Sequence, residues 1–506
     1  MPARTARGFL STAAMSQIIL NLEEAHDLEV RCANRLGEDA LMRRAGAAAA
    51  ALVAERSPGK RVTILAGPGN NGGDAYACAA SLKAMGFQVV VAAPGGAPKS
   101  PLAKQLADEW IAQGGAVVED PYSTDEADAV VDGLFGTGIK KMIRDPYLDA
   151  VLWFNERHAW KLALDVPSGL DSETGHWAGG APGIRADATI TFLSQKAGLY
   201  MVDGPDAAGE VILSELDVSV PLTRLGLIGM DDFEHVLEPR TKNAHKGTFG
   251  HVAVIGGGDG HVGAALLAAR AALVMGAGTV TVELLAERSP AVDPVMPELM
   301  LSPEPVDPSR FTAVVIGPGL GQSEAAKKRL VAALEAPVPL VIDADAINLI
   351  AADKSLVEVL LHRKSATVMT PHEVEGARLL GVDPKVINAN RVDAVRDIAL
   401  HTGSITVLKG PGTLVSMRSS RSWLSPFADS SLSTAGSGDV LSGMIASLLA
   451  QRFDTMEAVL GAVWLHGASP EGCLAGFTAG QIAPAAAKII HRERLAYAKD
   501  RFVRRL

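Results

Sequence analysis

The sequence predicts an α/β protein of two tandem three-layer domains, and three observations carry that expectation. Its 506 residues exceed the ~250–300 at which a single hydrophobic core stops growing. Short apolar runs rich in β-branched residues recur along the chain, each followed by a glycine-rich corner and a helical stretch. These runs are near-continuously apolar rather than alternating, which suits parallel strands covered on both faces.

The first series opens at Arg61 with VTILAG, then the corner GPGNNGGD, then the helical stretch AYACAASLKAMG. QVVVAAP (88–94), DAVVDGLFGTG (128–138), KLALDVPSG (161–169) and DATITFLSQKAG (187–198) follow at spacings that leave room for crossover helices. Residues 221–250 break the rhythm with proline, charge and glycine and read as a linker. A second series then begins: HVAVIGGG (251–258), TVTVEL (279–284), AVVIGPGLG (313–321), PLVIDADA (339–346), ATVMTP (366–371) and SITVLKGPGTLV (404–415). The expected domains are 15–225 and 226–495. Their glycine-rich corners carry different polar residues, so they do not read as an internal repeat.

Composition narrows the function classes. The net charge is −10, which offers no chain-wide positive field for a nucleic-acid backbone. The longest apolar run, AGAAAAALVA (45–54), is about half the ~20 residues a bilayer crossing needs, so no membrane partner is expected. Cys32, Cys78 and Cys473 are odd in number and far apart, which argues against a disulfide framework and fits a reducing, cytoplasmic setting. The first fourteen residues weakly imitate an organelle transit peptide, and Met15 as the start is the preferred reading. The basic C-terminal stretch HRERLAYAKDRFVRRL reads as a solvated terminal helix, with a membrane- or partner-facing amphipathic helix as the alternative.

Parallel sheets bind ligands beyond the carboxyl ends of their strands, so the polar residues just after each apolar run are where chemistry is expected. In the first half these are Asn70, Asn71 and Asp74; Asp132 with Gly136, Thr137 and Gly138; Asp165 with Ser168; and Lys196. Oxygens of Asn71, Asp132 and Ser168 form a set suited to a weakly charged hard cation. The alternative is that the glycines make tight turns, Asn71 and Ser168 cap helices and the aspartates accept backbone N–H groups. In the second half, Gly436, Ser437 and Gly438 precede Asp439 at the start of an apolar helix. There a helix N-terminus can hold phosphate while the carboxylate takes a proton from an attacking hydroxyl. Lys409, with the turn Gly410–Thr413, can neutralise and cradle phosphate. His372, after TP, sits at another strand end, where a structural histidine and a substrate contact both remain open.

The motifs GPGNNGGD, VDGLFGTG, DVPSGLDSETG and the later K-A-G resemble the YjeF N-terminal NAD(P)HX epimerase family, over roughly residues 15–220, and imply a Rossmann-like domain. NAHKGTFG, GPGLG, DADAIN, TPH, LKGPGT and AGSGD, in that order over 243–443, resemble the ribokinase-like ADP/ATP-dependent NAD(P)H-hydrate dehydratases. The first resemblance implies that Asn70, Asn71, Gly72, Gly73 and Asp74, with Gly136, Thr137, Gly138, Ile139, Lys140, Lys141 and Met142, line the hydrated nucleotide. It also implies that Asn71, Asp132 and Ser168 bind potassium, that Asp165 contacts substrate and handles protons, and, more weakly, that Lys196 belongs to the site. The second implies that Ala264, Gly321, His372 and Asp439 meet the hydrated cofactor. Lys409, Gly410, Pro411, Gly412, Thr413 and Gly438 would then meet the adenine nucleotide, with ADP as donor and magnesium on its diphosphate. NADHX and NADPHX are the implied substrates, and a homo-oligomer is expected. The chain departs from the family patterns at Ala75, expected to narrow the space beside the ligand, and at Val374, each where glycine is usual. Two rival readings remain: a small-molecule kinase built on the same GSGD aspartate, and a nucleotide-binding regulator with degenerate sites.

Overall fold

The computed structural model describes residues 17–37, 39–418, 420–471 and 476–503. The transit-like stretch, the Met15 start and Cys473 lie outside the described residues. The chain divides into two compact units, Gln17–Leu225 and Gly226–Leu506.

In the first unit a short strand, β1 (Gln17–Ile19), precedes helices Leu22–Leu36 and Ala40–Arg56. Strands β2 (Arg61–Ala66), β3 (Gln88–Ala92), β4 (Ala116–Val118), β5 (Ala129–Gly133), β6 (Trp160–Leu164), β7 (Ala188–Phe192) and β8 (Glu210–Ser214) then build a parallel sheet in the order β4-β3-β2-β5-β6-β7-β8. Both faces are buried, as the uninterrupted apolar runs require. Val62, Ile64, Ala129 and Val131 pack into one cluster, with helices Ala40–Arg56 and Asn70–Ala84. Leu65, Ala92 and Val130 face the other way, onto Trp153 and Phe154 of helix Tyr147–Glu156. The chain runs outward from β2 to β4 and returns at β5 beside β2, so the topological switch point falls between the carboxyl ends of β2 and β5.

Strand β9 (Leu225–Leu227) spans the division between the units. Residues 221–250 are not the open linker that their composition suggested. Ile228, Phe233 and Val236 are fully buried in the second unit's core, because the proline and charge of this segment fall in turns between apolar anchors.

The second unit's parallel strands are β10 (His251–Gly256), β11 (Thr279–Leu284), β12 (Met300–Ser302), β13 (Ala313–Ile316), β14 (Leu340–Ile342), β15 (Thr367–Met369) and β16 (Ile405–Leu408), in the order β12-β11-β10-β13-β14-β15-β16. Antiparallel β17 (Leu414–Ser416) and β18 (Ser422–Leu424) extend the β16 side. The switch point lies between β10 and β13. The loops leaving these two strands are tied together there by Gly257 N–H to Pro318 O at 2.9 Å and Gly258 N–H to Gly319 O at 2.6 Å. Helices Val262–Val274, Ser437–Ala450 and Thr455–Ala468 cover one face, around a core that includes the fully buried Trp464 ringed by Phe233 and Phe427. The C-terminal helix Ala479–Val503 adds Ile482, Ala486 and Ile490 to that core. Arg494 donates to Val236 O and Tyr497 to Glu238 Oε1, so this helix is docked on its own unit rather than freely solvated. Among the described residues no helix is long and apolar enough to cross a membrane.

Candidate functional sites

A cavity of about 1450 Å³ opens at the switch point of the first unit. Asn70, Asn71 and Asp74, from the corner after β2 and the helix it starts, line it. So does the whole run Gly136, Thr137, Gly138, Ile139, Lys140, Lys141 and Met142 after β5, together with Asp165 after β6 and Lys196 after β7. Gly72 and Gly73 are not on its wall. A β-carbon on Gly72 would stand 2.0 Å from Gly67 O, and one on Gly73 2.2 Å from Met42 Sδ, so both serve the close approach of the helix to its neighbours. Ala75 is not beside the cavity either. Its methyl is fully buried in the core facing Gly133, so the departure from glycine is absorbed by packing and the expected narrowing does not occur.

Within the cavity Asp165 holds a left-handed backbone, φ 62°, a conformation that costs a non-glycine residue free energy and that the surroundings must enforce. Its N–H donates to Ile190 O at 2.7 Å and its Oδ1 accepts from Lys196 Nζ at 2.6 Å. Lys196, nearly buried, also donates to Phe192 O. Burial, together with the charges of Asp165 and Glu29, holds the Asp74 carboxyl well above the ordinary carboxylate range. Glu29, from helix Leu22–Leu36, lines the same cavity and is likewise raised, by burial and then by Asp165.

Asp132 and Ser168 are brought together but are fastened to one another. Asp132 accepts from Ser168 N–H at 2.8 Å, from its hydroxyl at 2.7 Å and from Leu134 N–H at 3.1 Å. Both residues are fully buried, and desolvation pushes Asp132 up to about 6 in spite of these bonds. Asn71 differs: its side-chain amide is buried, and neither its oxygen nor its nitrogen has a hydrogen-bond partner. An unpaired buried amide costs roughly 1–3 kcal/mol, so it marks a place where something polar belongs. A β-carbon on Gly136 would stand 3.6 Å from Asn71 Cγ and 3.4 Å from Asp165 Oδ2, so these three residues share one part of the cavity.

In the second unit the carboxyl edges of β14, β15 and β16 meet the first turn of helix Ser437–Ala450. Gly436, with φ 89°, turns the chain into that helix, packed on Leu267. Asp439 follows in the first turn, half-buried, its carboxyl pushed up to about 7 by burial and then by the charge of Asp343. Lys409, just past β16, stands with its ammonium 3.0 Å from where a β-carbon on Gly438 would sit, and bonds Asp343 Oδ1 at 2.7 Å. Burial alone would lower the proton affinity of Lys409, but the charges of Asp343, Glu375 and Asp439 outweigh it and leave it raised. Gly410 and Gly412 take positive φ in the loop Gly410–Pro411–Gly412–Thr413, where the buried Arg391 donates to Lys409 O and Gly412 O.

Ala264 and Gly321 lie at the same edge. Ala264 touches the Gly319 turn, and Gly321 N–H donates to Asp345 Oδ2 at 2.8 Å. His372 is occupied locally: its Nδ1 accepts from Val374 N–H at 3.1 Å and Glu375 N–H at 3.4 Å, capping helix Glu373–Leu380. Burial, and then the nearby Lys409, depress its basicity, in keeping with an imidazole that accepts at Nδ1.

Sequence reasoning missed Glu29, Asp343, Glu375, Ser442 and His466. Asp343 opens DADAIN and could have been chosen by its place after an apolar strand. Glu29 and His466 lie outside every motif, and Glu375 and Ser442, although they follow closely after TPH and GSGD, are brought into place by tertiary packing.

The family described as NAD(P)H-hydrate dehydratase matches residues 252–492, and that described as YjeF-related protein N-terminus matches residues 38–198. The bifunctional NAD(P)H-hydrate repair enzyme Nnr of Coxiella burnetii is 35% identical, covering 89% of this chain and 94% of that one. Its counterpart from Escherichia coli is 34% identical, covering 88% and 87%. A solved structure of the ADP/ATP-dependent NAD(P)H-hydrate dehydratase from Bacillus subtilis, with ATP/Mg2+, is 28% identical over 51% of this chain and 96% of that chain, with a TM-score of 0.43.

Proposed function

The chain belongs to the family of bifunctional NAD(P)H-hydrate repair enzymes, and from that premise we propose a role for each unit. Gln17–Leu225 interconverts the R and S hydrates of NADH and NADPH, and Gly226–Leu506 dehydrates the S form at the expense of ADP. The observation that carries the second half is Asp439, raised to about 7 in the first turn of a helix and flanked by the Lys409 ammonium. A base poised near neutrality, a cation and the helix's free N–H groups are the parts that phosphoryl transfer to a hydroxyl requires.

In this mechanism Asp439 takes the proton from the C6 hydroxyl as that oxygen forms a bond to the terminal phosphorus of ADP, and the bond to AMP breaks. Lys409 and the N–H groups around Gly438 hold the charge on the transferring group. The C6–O bond then breaks with its electron pair leaving on phosphate, assisted by the ring nitrogen. Loss of the C5 proton restores the dihydropyridine. Magnesium, held by the donor's phosphate oxygens when bound, would supply positive charge to the diphosphate beside Lys409.

In the first unit the epimers interconvert when the C6 hydroxyl leaves as water and water returns to the opposite face. Asp74, held toward its protonated form, supplies the proton to the departing hydroxyl, and Asp165, fixed by Lys196, receives the proton of the incoming water. The orphaned amide of Asn71, with the carboxylate of Asp132 and the hydroxyl of Ser168, fits a potassium ion in donor type, and these three residues would hold it. Potassium would supply positive charge toward the substrate's phosphates. The buried free thiols Cys32 and Cys78 support a reducing, cytoplasmic setting.

The test is Asp439→Ala in the full chain, assayed on S-NADHX with Mg·ADP and separately for epimerisation. ADP-dependent recovery of NADH should disappear while epimerisation persists. Retained dehydration would remove Asp439 from the mechanism.

A further inference from the structure

Asp343 is the first residue past β14, is only 1% exposed and gathers three donors on one carboxylate. Its Oδ1 accepts from Lys409 Nζ at 2.7 Å and from Ala344 N–H at 2.9 Å, and its Oδ2 accepts from the Ser442 hydroxyl. Ser442, fully buried, lies one turn beyond Gly438 on the helix that carries Asp439, and its hydroxyl also reaches Gly438 O at 3.1 Å. One buried acid thus ties the end of β14 to the lysine at the end of β16 and to the helix that presents Asp439. Burying a charge in this way is costly and is tolerated when the geometry it fixes is used.

Resting on the dehydratase reading above, we propose that Asp343 is a positioning residue of that centre. Its carboxylate holds the Lys409 ammonium over the first turn of helix Ser437–Ala450, so that the donor phosphate and Asp439 are presented to one another. Asp343 does not act on substrate itself, because both its oxygens are already committed to protein donors.

The electrostatics run in the same direction. The charged groups facing Asp439 are Asp343, Lys409 after β16, Glu375 on helix Glu373–Leu380 and Asp345 on helix Ala344–Ala352. His466, which bonds Ser437 from the neighbouring helix, is pushed down to about 4 by burial and is neutral at physiological pH. Asp343 is the carboxylate that most raises Asp439, and Lys409 lowers it. Removing the Asp343 charge therefore lowers the proton affinity of Asp439 twice over, by deleting a neighbouring anion and by freeing the Lys409 cation.

The experiment compares the wild-type full chain with Asp343→Asn and Asp343→Glu, measuring kcat and KM for ADP in S-NADHX dehydration between about pH 5.5 and 9. For Asp343→Asn, kcat should fall about 100-fold, the scale of a small misplacement of reacting groups. The fall in kcat should exceed the change in KM, and the acid limb of the profile should move below the wild-type position. Asp343→Glu keeps the charge but displaces it, so its limb should stay in place while kcat remains reduced. Circular dichroism and the thermal unfolding transition of the second unit report whether Gly226–Leu506 is folded in each variant. A wild-type kcat and limb in Asp343→Asn would overturn the proposal. If Asp343→Asn does not fold, a wild-type kcat in Asp343→Glu does the same. A wild-type chain with no ADP-dependent dehydration at all would instead overturn the functional reading on which this rests.

Discussion

A carboxylate half-buried among other acids gives up its proton reluctantly, and in the proposed mechanism that reluctance at Asp439 sets the pH at which the second unit works. With Asp439 raised to about 7, only its ionised form can accept the hydroxyl proton. Dehydration should therefore rise with pH through about 7 and level off above it, and a flat profile from pH 5 to 9 would contradict the assignment. Asp439→Asn should cost roughly 10²–10⁴-fold in kcat, the usual worth of a positioned base. In the first unit the orphaned amide of Asn71 makes a prediction that needs no turnover. Potassium should raise the wild-type melting temperature above its value in choline. Asn71→Leu should lose that response, and without potassium it should be at least as stable as wild type, because it removes an unpaired buried amide worth roughly 1–3 kcal/mol. An equal potassium effect on both proteins would take the ion away from Asn71.

Helices position these residues, and their close approaches are specific. A β-carbon on Gly443 would stand 2.0 Å from Ala268 O, so helix Ser437–Ala450 lies directly on helix Val262–Val274. Gly443→Ala must push the two apart. It should cost about 1–3 kcal/mol of second-unit stability by denaturant unfolding, the usual penalty of overpacking, and should lower dehydration through the displaced Asp439. An unchanged midpoint would show that the helices yield freely.

At this scale the sequence was largely legible. The strands beside the sites announce themselves, because a strand buried on both faces is a continuous apolar run with a glycine corner after it, as at VTILAG and AVVIGPGLG. Helix Leu22–Leu36, which brings Glu29 to the cavity, has no such signature. The segment 221–250 misleads because a few spaced anchors, Ile228, Phe233 and Val236, suffice to fold a polar stretch onto a core. At the sites, residues within motifs, such as Asp74, Asp165, Lys409 and Asp439, could be found from the chain. Asp343 can be picked out by its place after an apolar strand, but what it joins, like the places of Ser442 and Glu375, emerges only when β14, β15 and the Asp439 helix meet. Gly72 and Gly73 sit in a ligand-like motif yet serve packing.

For the whole molecule, the proposed function makes each unit a separate catalyst on a shared substrate. Asp165→Ala should leave dehydration of pure S-NADHX at the wild-type rate while slowing use of the R form to the spontaneous pace. Mixing equal amounts of Asp165→Ala and Asp439→Ala proteins should restore recovery from both epimers, since each supplies the step the other lacks; failure to complement would mean that the two steps depend on one another. The most direct test of the central claim gives the wild-type chain an equilibrated R,S mixture of NADHX with Mg·ADP and potassium and follows the return of NADH absorbance. The account predicts recovery of both epimers, with AMP and phosphate released in equal amounts. Consumption of donor with a stable phosphorylated product and no NADH would contradict it.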